Sequence, residues 1–131
     1  MPSNFKKKGI IFCGAAESGK TKLATEILDA YNEYEKVFIP VRGKMLDNYF
    51  LFSACTEMTK VILFDDILNL FQLETIVTLP DQIVVNRKHE KPFSIPTPRL
   101  ILTLDEIIEV DCKILNTALC KEKFDVLVVN P

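Results

Sequence analysis

Gly14-Ala15-Ala16-Glu17-Ser18-Gly19-Lys20-Thr21 directly follows the apolar run Ile10-Ile11-Phe12-Cys13 and precedes a helical pattern. The stretch fits G-x-x-x-x-G-K-[ST], and it stands where that pattern's mechanism requires, between a strand and a helix. Glycines let backbone N–H groups turn inward around phosphates, and the N-terminus of the following helix adds partial positive charge. Lys20 is placed to reach the β and γ phosphates of a nucleotide, and Thr21 to ligate Mg²⁺. Gly14, Ala15, Ala16, Glu17, Ser18, Gly19, Lys20 and Thr21 are therefore the expected nucleotide-binding residues. Glu17 suits this role if its carboxylate points outward and its amide alone faces in.

Working outward, Val37-Phe38-Ile39, Val61-Ile62-Leu63-Phe64, Leu100-Ile101-Leu102 and Val126-Leu127-Val128-Val129 resemble the first apolar run. Short continuous runs rich in β-branched residues suit strands covered on both faces of a parallel sheet. Helical patterns alternate with them. Leu23, Ile27, Leu28 and Tyr31 share one face of a helix over residues 20–33. Leu104, Ile107, Ile108, Leu115, Ala118 and Leu119 do so for a helix over 105–122, with acids at its start and lysines at its end. Shorter helices are expected over 45–54 and 67–73. The alternation predicts a three-layer α/β domain with a mostly parallel, five-stranded sheet.

The run Lys60–Phe64 ends in Asp65-Asp66, which places two carboxylates at the edge of the sheet where ligands bind in such folds. Asp65 is expected to hold Mg²⁺ through water, and Asp66 to polarise an attacking water. Asp66 also suits an N-cap for the next helix. The run Arg99–Leu102 continues into Thr103-Leu104-Asp105. If this strand lies between the first two, it aims Thr103 or Asp105 at the γ-phosphate; Asp105 is equally an N-cap.

The bulk numbers set limits. One domain over residues 1–131 is expected, with 48% hydrophobic and 26% charged residues, as in ordinary globular chains. No apolar run approaches the about 20 residues of a membrane span, and MPSNFKKKG lacks a signal-peptide core, so a cytoplasmic setting without membrane contact is expected. Cys13, Cys55, Cys112 and Cys120 show no metal-ligand spacing and read as reduced thiols. With a net charge of −2, any nucleic-acid site must be a local patch.

GAAESGKT, KVILFDDI and VVNRKHEKPFSIPTPRLILTLD, in this order, resemble the superfamily 3 helicases, ring-forming AAA+ motors of small viruses and of some phages and plasmids. The resemblance runs from about Gly9 to Pro131. It implies an AAA+-like P-loop ATPase with a β-hairpin inserted before the sensor strand, using ATP and Mg²⁺. It further implies a homo-oligomeric ring acting on single-stranded nucleic acid, DNA favoured over RNA. In that family the hairpin tip grips the nucleic-acid backbone, and Lys88 and His89 stand at that place. Arg87 and Lys91 could add supporting charge.

Two departures stand out. The family's sensor Asn is replaced by Asp105, and Lys123 stands at about the position of the arginine finger. Lysine offers a point charge in place of a planar fork. The resemblance thus makes Lys20, Asp66, Asp105 and Lys123 the candidate catalytic residues. The domain could stand alone or be part of a larger replication protein. Two other readings stay open: a nucleotide-binding module with little turnover, and a small P-loop kinase. A kinase lid would need clustered arginines, whereas Arg42, Arg87 and Arg99 are scattered.

Overall fold

All five apolar runs become strands of one sheet in the computed structural model, which describes residues 7–41 and 51–130. In chain order the strands are β1 (Gly9–Gly14), β2 (Lys36–Pro40), β3 (Val61–Ile67), β4 (Gln82–Val85), β5 (Phe93–Pro96), β6 (Arg99–Leu104) and β7 (Phe124–Val129). The large sheet has the order β2-β3-β6-β1-β7, and every pairing in it is parallel. The strand β6 does lie between β1 and β3, as the placement of its polar end beside the glycine loop requires. The hairpin β4–β5 is a separate antiparallel pair, in register from Gln82 opposite Pro96 to Val85 opposite Phe93.

Strand periodicity divides the sheet residues between two cores. Phe12, Val61, Leu63 and Ile101 face the helix α1 (Lys20–Asp29), where they meet Ala24 and Leu28. Ile11, Cys13, Ile62, Phe64, Leu100 and Leu102 face the other way. There they are covered by α2 (Leu70–Val77), α3 (Ala118–Lys123) and the hairpin stem, through residues such as Leu73, Ile76, Cys120 and Ile83. The result is three layers. Burying an Ile or Leu side chain fully is worth about 1.5–3 kcal/mol, so the central strands supply much of the stabilisation. Among the described residues, no helix is long and apolar enough to cross a membrane.

The helices depart from expectation more than the strands do. The first ends at Asp29, not at residue 33, because Asn32 opens a short 3-10 turn over Glu33–Glu35 and its N–H donates to Glu35 Oε1 at 3.2 Å. Leu23 lies off the buried face and is 39% exposed. The second begins at Leu70, not residue 67, because Asn69 Oδ1 accepts the Gln72 N–H at 2.9 Å and so caps it. This removes the alternative that Asp66 caps that helix.

The long helix expected over 105–122 does not form. Residues 105–117 make successive tight turns closed by Ile108 N–H to Asp105, Cys112 to Glu109, Asn116 to Lys113 and Thr117 to Ile114. Ile107, Ile108 and Val110 are β-branched, and Asp111, Asn116 and Thr117 favour local side-chain bonding over helix. Thr117 then caps α3 by accepting the Cys120 N–H at 3.2 Å. Ile108 and Leu115 are buried all the same, whereas Ile107 and Leu119 are 69% and 41% exposed. Of the helix expected over 45–54, residues 45–50 lie outside the described residues, and residues 51–54 are turn.

Candidate functional site

The loop between β1 and α1 is shaped by three residues with positive φ: Gly14 (133°), Glu17 (58°) and Gly19 (97°). Left-handed backbone at such positions re-aims successive amides, and glycine adopts it without steric cost. At Gly14 the requirement is also spatial, since a Cβ there would lie 2.3 Å from the Val129 carbonyl oxygen of the neighbouring strand. No side chain caps the N-terminus of α1 and no acid sits in its first turn, so its first amides are left available to an anion. Ala15, Ala16 and Glu17 are exposed, and the Ser18 hydroxyl is buried without a partner among the described residues. Lys20 folds over the loop, with Nζ donating to the Gly14 carbonyl at 2.7 Å.

The end of β3 meets this loop. Thr21 Oγ1 donates to Asp65 Oδ1 at 3.0 Å, and Thr103 Oγ1 donates to the same oxygen at 2.7 Å. The Asp66 N–H in turn donates to Thr103 Oγ1 at 2.7 Å. This arrangement rests on a bulge. Phe64 pairs with Leu102 and Ile67 with Leu104, so β3 carries one extra residue between these pairs, and Asp66 takes a left-handed φ of 65°. The bulge gives consecutive carboxylates different directions, which a regular pleat would also do, but it leaves the Asp66 amide bonded to a side chain instead of to the ladder.

Thr103, 2% exposed, thus holds both acids in place. Of the two residues considered for the end of β6, it is the one that joins the cluster. Asp105 also stands at this edge, where its N–H bonds Ile67 O at 2.7 Å and its Oδ1 accepts the Ile107 N–H at 3.0 Å. Its carboxylate therefore caps the turn that follows.

Glu106 was expected only as an acid at the start of a helix over 105–122, yet its Oε2 accepts the Ala16 N–H of the glycine loop at 3.1 Å. The contact crosses 90 positions of sequence and no local pattern announces it. Burial raises the Cys13 thiol above its ordinary pKa despite the opposing charge of Lys20, so this thiol beneath the loop stays neutral.

Lys123 lies elsewhere. It ends α3 just before β7 begins, at the opposite edge of the sheet, and its Nζ donates to the Leu79 carbonyl at 3.0 Å. The structure does not bring it to the glycine loop of its own chain. Among the described residues, no three His, Cys, Asp or Glu are grouped to hold a metal. The hard oxygens of Thr21 and Asp65 fit a Mg²⁺ that draws its remaining ligands from water and phosphate.

The hairpin expected before β6 is present, and Lys88 and His89 are both exposed at its tip. They are the central residues of a turn closed by the Glu90 N–H to the Arg87 carbonyl at 3.3 Å. His89 has φ 64°, as the third position of a type II turn demands. Arg87 is an anchor: Nε donates to the Ser53 carbonyl at 2.9 Å, a second guanidinium nitrogen donates to Cys55, and the group lies 5.4 Å from the Phe93 ring centre.

Neither a protein-family model nor a curated protein matches this chain. Among solved structures, the A form apo structure of the NrS-1 C-terminal region matches 94% of this chain with a TM-score of 0.63 and 20% sequence identity. The present chain spans 29% of that one's length, and at this identity the likeness concerns the fold.

Proposed function

We propose that this chain is the core of an ATP-driven nucleic-acid motor of the superfamily 3 type, an AAA+-like P-loop ATPase that works as a homo-oligomeric ring on single-stranded nucleic acid. The observation that carries the nucleotide part is the meeting of Thr21, Asp65 and Thr103 beside the Gly14–Lys20 loop. A phosphate held by the loop amides and Lys20 would lie next to a hydroxyl and a carboxylate already 3.0 Å apart. Mg²⁺ at that pair would offset phosphate charge. Asp66, set apart from Asp65 by its left-handed backbone, is the residue to polarise the attacking water. The exposed hairpin tip supplies the contact with nucleic acid.

Two alternatives are weighed by specific contacts. A phosphoryl-transferring kinase needs arginines around the phosphates. Arg87 is tied to Ser53 and Cys55, and Arg99 donates to Lys8 O at 2.9 Å and to the Tyr31 hydroxyl at 3.4 Å. Arg42 lies outside the described residues. A nucleotide-binding module with little turnover gains support from Asp105, whose carboxylate caps a turn in place of a sensor amide.

The test is ATP binding and hydrolysis with Mg²⁺, in the presence and absence of single-stranded DNA and RNA. Stimulated hydrolysis in wild type, with nucleotide binding lost in Lys20→Ala, is the expected result. Tight binding retained by Lys20→Ala would overturn the phosphate site. Binding without turnover in the assembled oligomer would select the module reading.

A further inference from the structure

The Ala16 amide lies in the loop proposed to cradle phosphate, and its N–H is directed at Glu106 Oε2, 3.1 Å away. An amide donating to a carboxylate cannot donate to a phosphate oxygen at the same time, because both acceptors need the one proton. Both are also anions, so they repel at this range. The carboxylate therefore stands in the place and the chemistry of the ligand. Its position is not left to a flexible side chain alone. Asp105, the preceding residue, is fixed by its N–H to Ile67 O at 2.7 Å and by its Oδ1 to the Ile107 N–H at 3.0 Å. The same backbone bond joins the turn to the end of β3, one residue beyond Asp66.

We propose that Glu106 is a built-in competitor for the phosphate loop. It occupies the Ala16 amide until a nucleotide displaces it, and its departure carries nucleotide occupancy into the 105–110 turn. This rests on the phosphate-site reading above and adds regulation of that site. Binding is weakened by the fraction of molecules in which Glu106 holds the amide, since a ligand requires the open form. That factor is the same for every ligand, but the displaced carboxylate still stands near the loop and repels the bound phosphates, so the total penalty is larger for a triphosphate than for a diphosphate.

Two measurements test it. Titration of ATP and ADP into wild type, Glu106→Gln, Glu106→Ala and Lys20→Ala should show ATP bound about three- to tenfold more tightly by Glu106→Ala than by wild type, as expected for loss of one exposed charge-assisted contact. The gain for ADP should be smaller, and Glu106→Gln should fall between. In the free protein, the amide-proton resonance of Ala16 should move upfield in Glu106→Ala, reporting the lost hydrogen bond without any nucleotide.

ATP affinity that is unchanged or weaker in Glu106→Ala, while Lys20→Ala still abolishes binding, would overturn the competitor role and leave the phosphate site standing. An unmoved Ala16 resonance would overturn it as well. Absence of nucleotide binding in wild type and Glu106→Ala alike would remove the phosphate-site reading, and this inference with it.

Discussion

The hydroxyl of Thr103, at the end of β6, donates to Asp65 at 2.7 Å and accepts the Asp66 N–H at 2.7 Å, so one buried oxygen sets both acids at the end of β3. Thr103→Val keeps the shape and removes both bonds. It leaves the Asp66 N–H without this acceptor and Asp65 with one donor fewer. The expected cost is about 1–3 kcal/mol, read by denaturant unfolding. Asp65 should then be held less firmly toward Thr21. We expect Mg²⁺-dependent nucleotide affinity to fall about tenfold, with binding in EDTA nearly unchanged, as when a residue that orients a metal-holding carboxylate is lost. Equal losses with and without Mg²⁺ would show that Thr103 supports the loop in general.

Gly14 and Gly19 both take positive φ, but their surroundings differ. A Cβ at Gly14 would meet the Val129 carbonyl at 2.3 Å, whereas one at Gly19 has nothing within 4 Å. Gly19→Ala should cost about 1–2 kcal/mol of backbone strain. Gly14→Ala carries strain and a clash with the backbone of β7, so it should lose more than about 3 kcal/mol and loosen the β1–β7 pairing. Thermal unfolding of the two variants checks this order. Equal losses would mean that β7 can move away at little cost.

Cys55 is fully buried, and desolvation raises its pKa from 9.0 to about 11 even though the Thr59 hydrogen bond and the Arg87 charge act to lower it. The folded value exceeds the unfolded one, so between them the unfolded chain has lost a proton that the folded chain keeps. Stability from this group is therefore whole below pH 9.0 and is lost as pH rises toward about 11. Burial raises Cys13 and Cys120 in the same direction. A Cys55→Ala variant should show a flatter alkaline decline in unfolding free energy than wild type. At pH 8, iodoacetamide should modify the half-buried Cys112 first, with the other three thiols reacting on unfolding; mass mapping of the labelled peptides reads the order.

The strands were legible because parallel-sheet strands are marked by composition alone. Ile10–Cys13, Val61–Phe64 and Leu100–Leu102 must be apolar on both faces wherever they sit. The loop's place and shape were legible because it joins a strand to a helix and Gly14 and Gly19 take the positive φ that its turns require. The helix ends were harder. Asn69 and Thr117 start helices through single side-chain bonds, and at Asn32 the Glu35 side chain accepts the backbone N–H; such residues also occur in helices without doing so. The turns at 105–117 defeated periodicity because Ile108 and Leu115 face the core as a helix would place them, while the backbone between them turns tightly. Contacts such as Glu106 with Ala16 or Arg87 with Ser53 join distant segments, and they exist only once the sheet order has brought those segments together.

His89 has two reasons to stand at the hairpin tip, and a substitution can separate them. Its φ of 64° makes it a turn-former, since histidine tolerates the left-handed region better than most residues. Its imidazole, beside Lys88, is also the proposed contact with nucleic acid. His89→Ala would disturb both functions. His89→Gly satisfies the turn and removes the imidazole, so it should leave stability within about 0.5 kcal/mol of wild type or raise it slightly. Lys88→Ala, at an exposed site, should be equally mild. If the tip grips a phosphate backbone, the double variant Lys88→Ala with His89→Gly should lose most stimulation of ATP hydrolysis by single-stranded DNA while its affinity for ATP is kept. Its DNA binding should also depend less steeply on salt, with a slope lower by about 0.7 for each phosphate contact removed. Arg87→Ala makes the contrast, because Arg87 binds Ser53 and Cys55 carbonyls and should act through stability. Undiminished stimulation in the double variant would show that nucleic acid binds elsewhere and that the tip is a solvated turn.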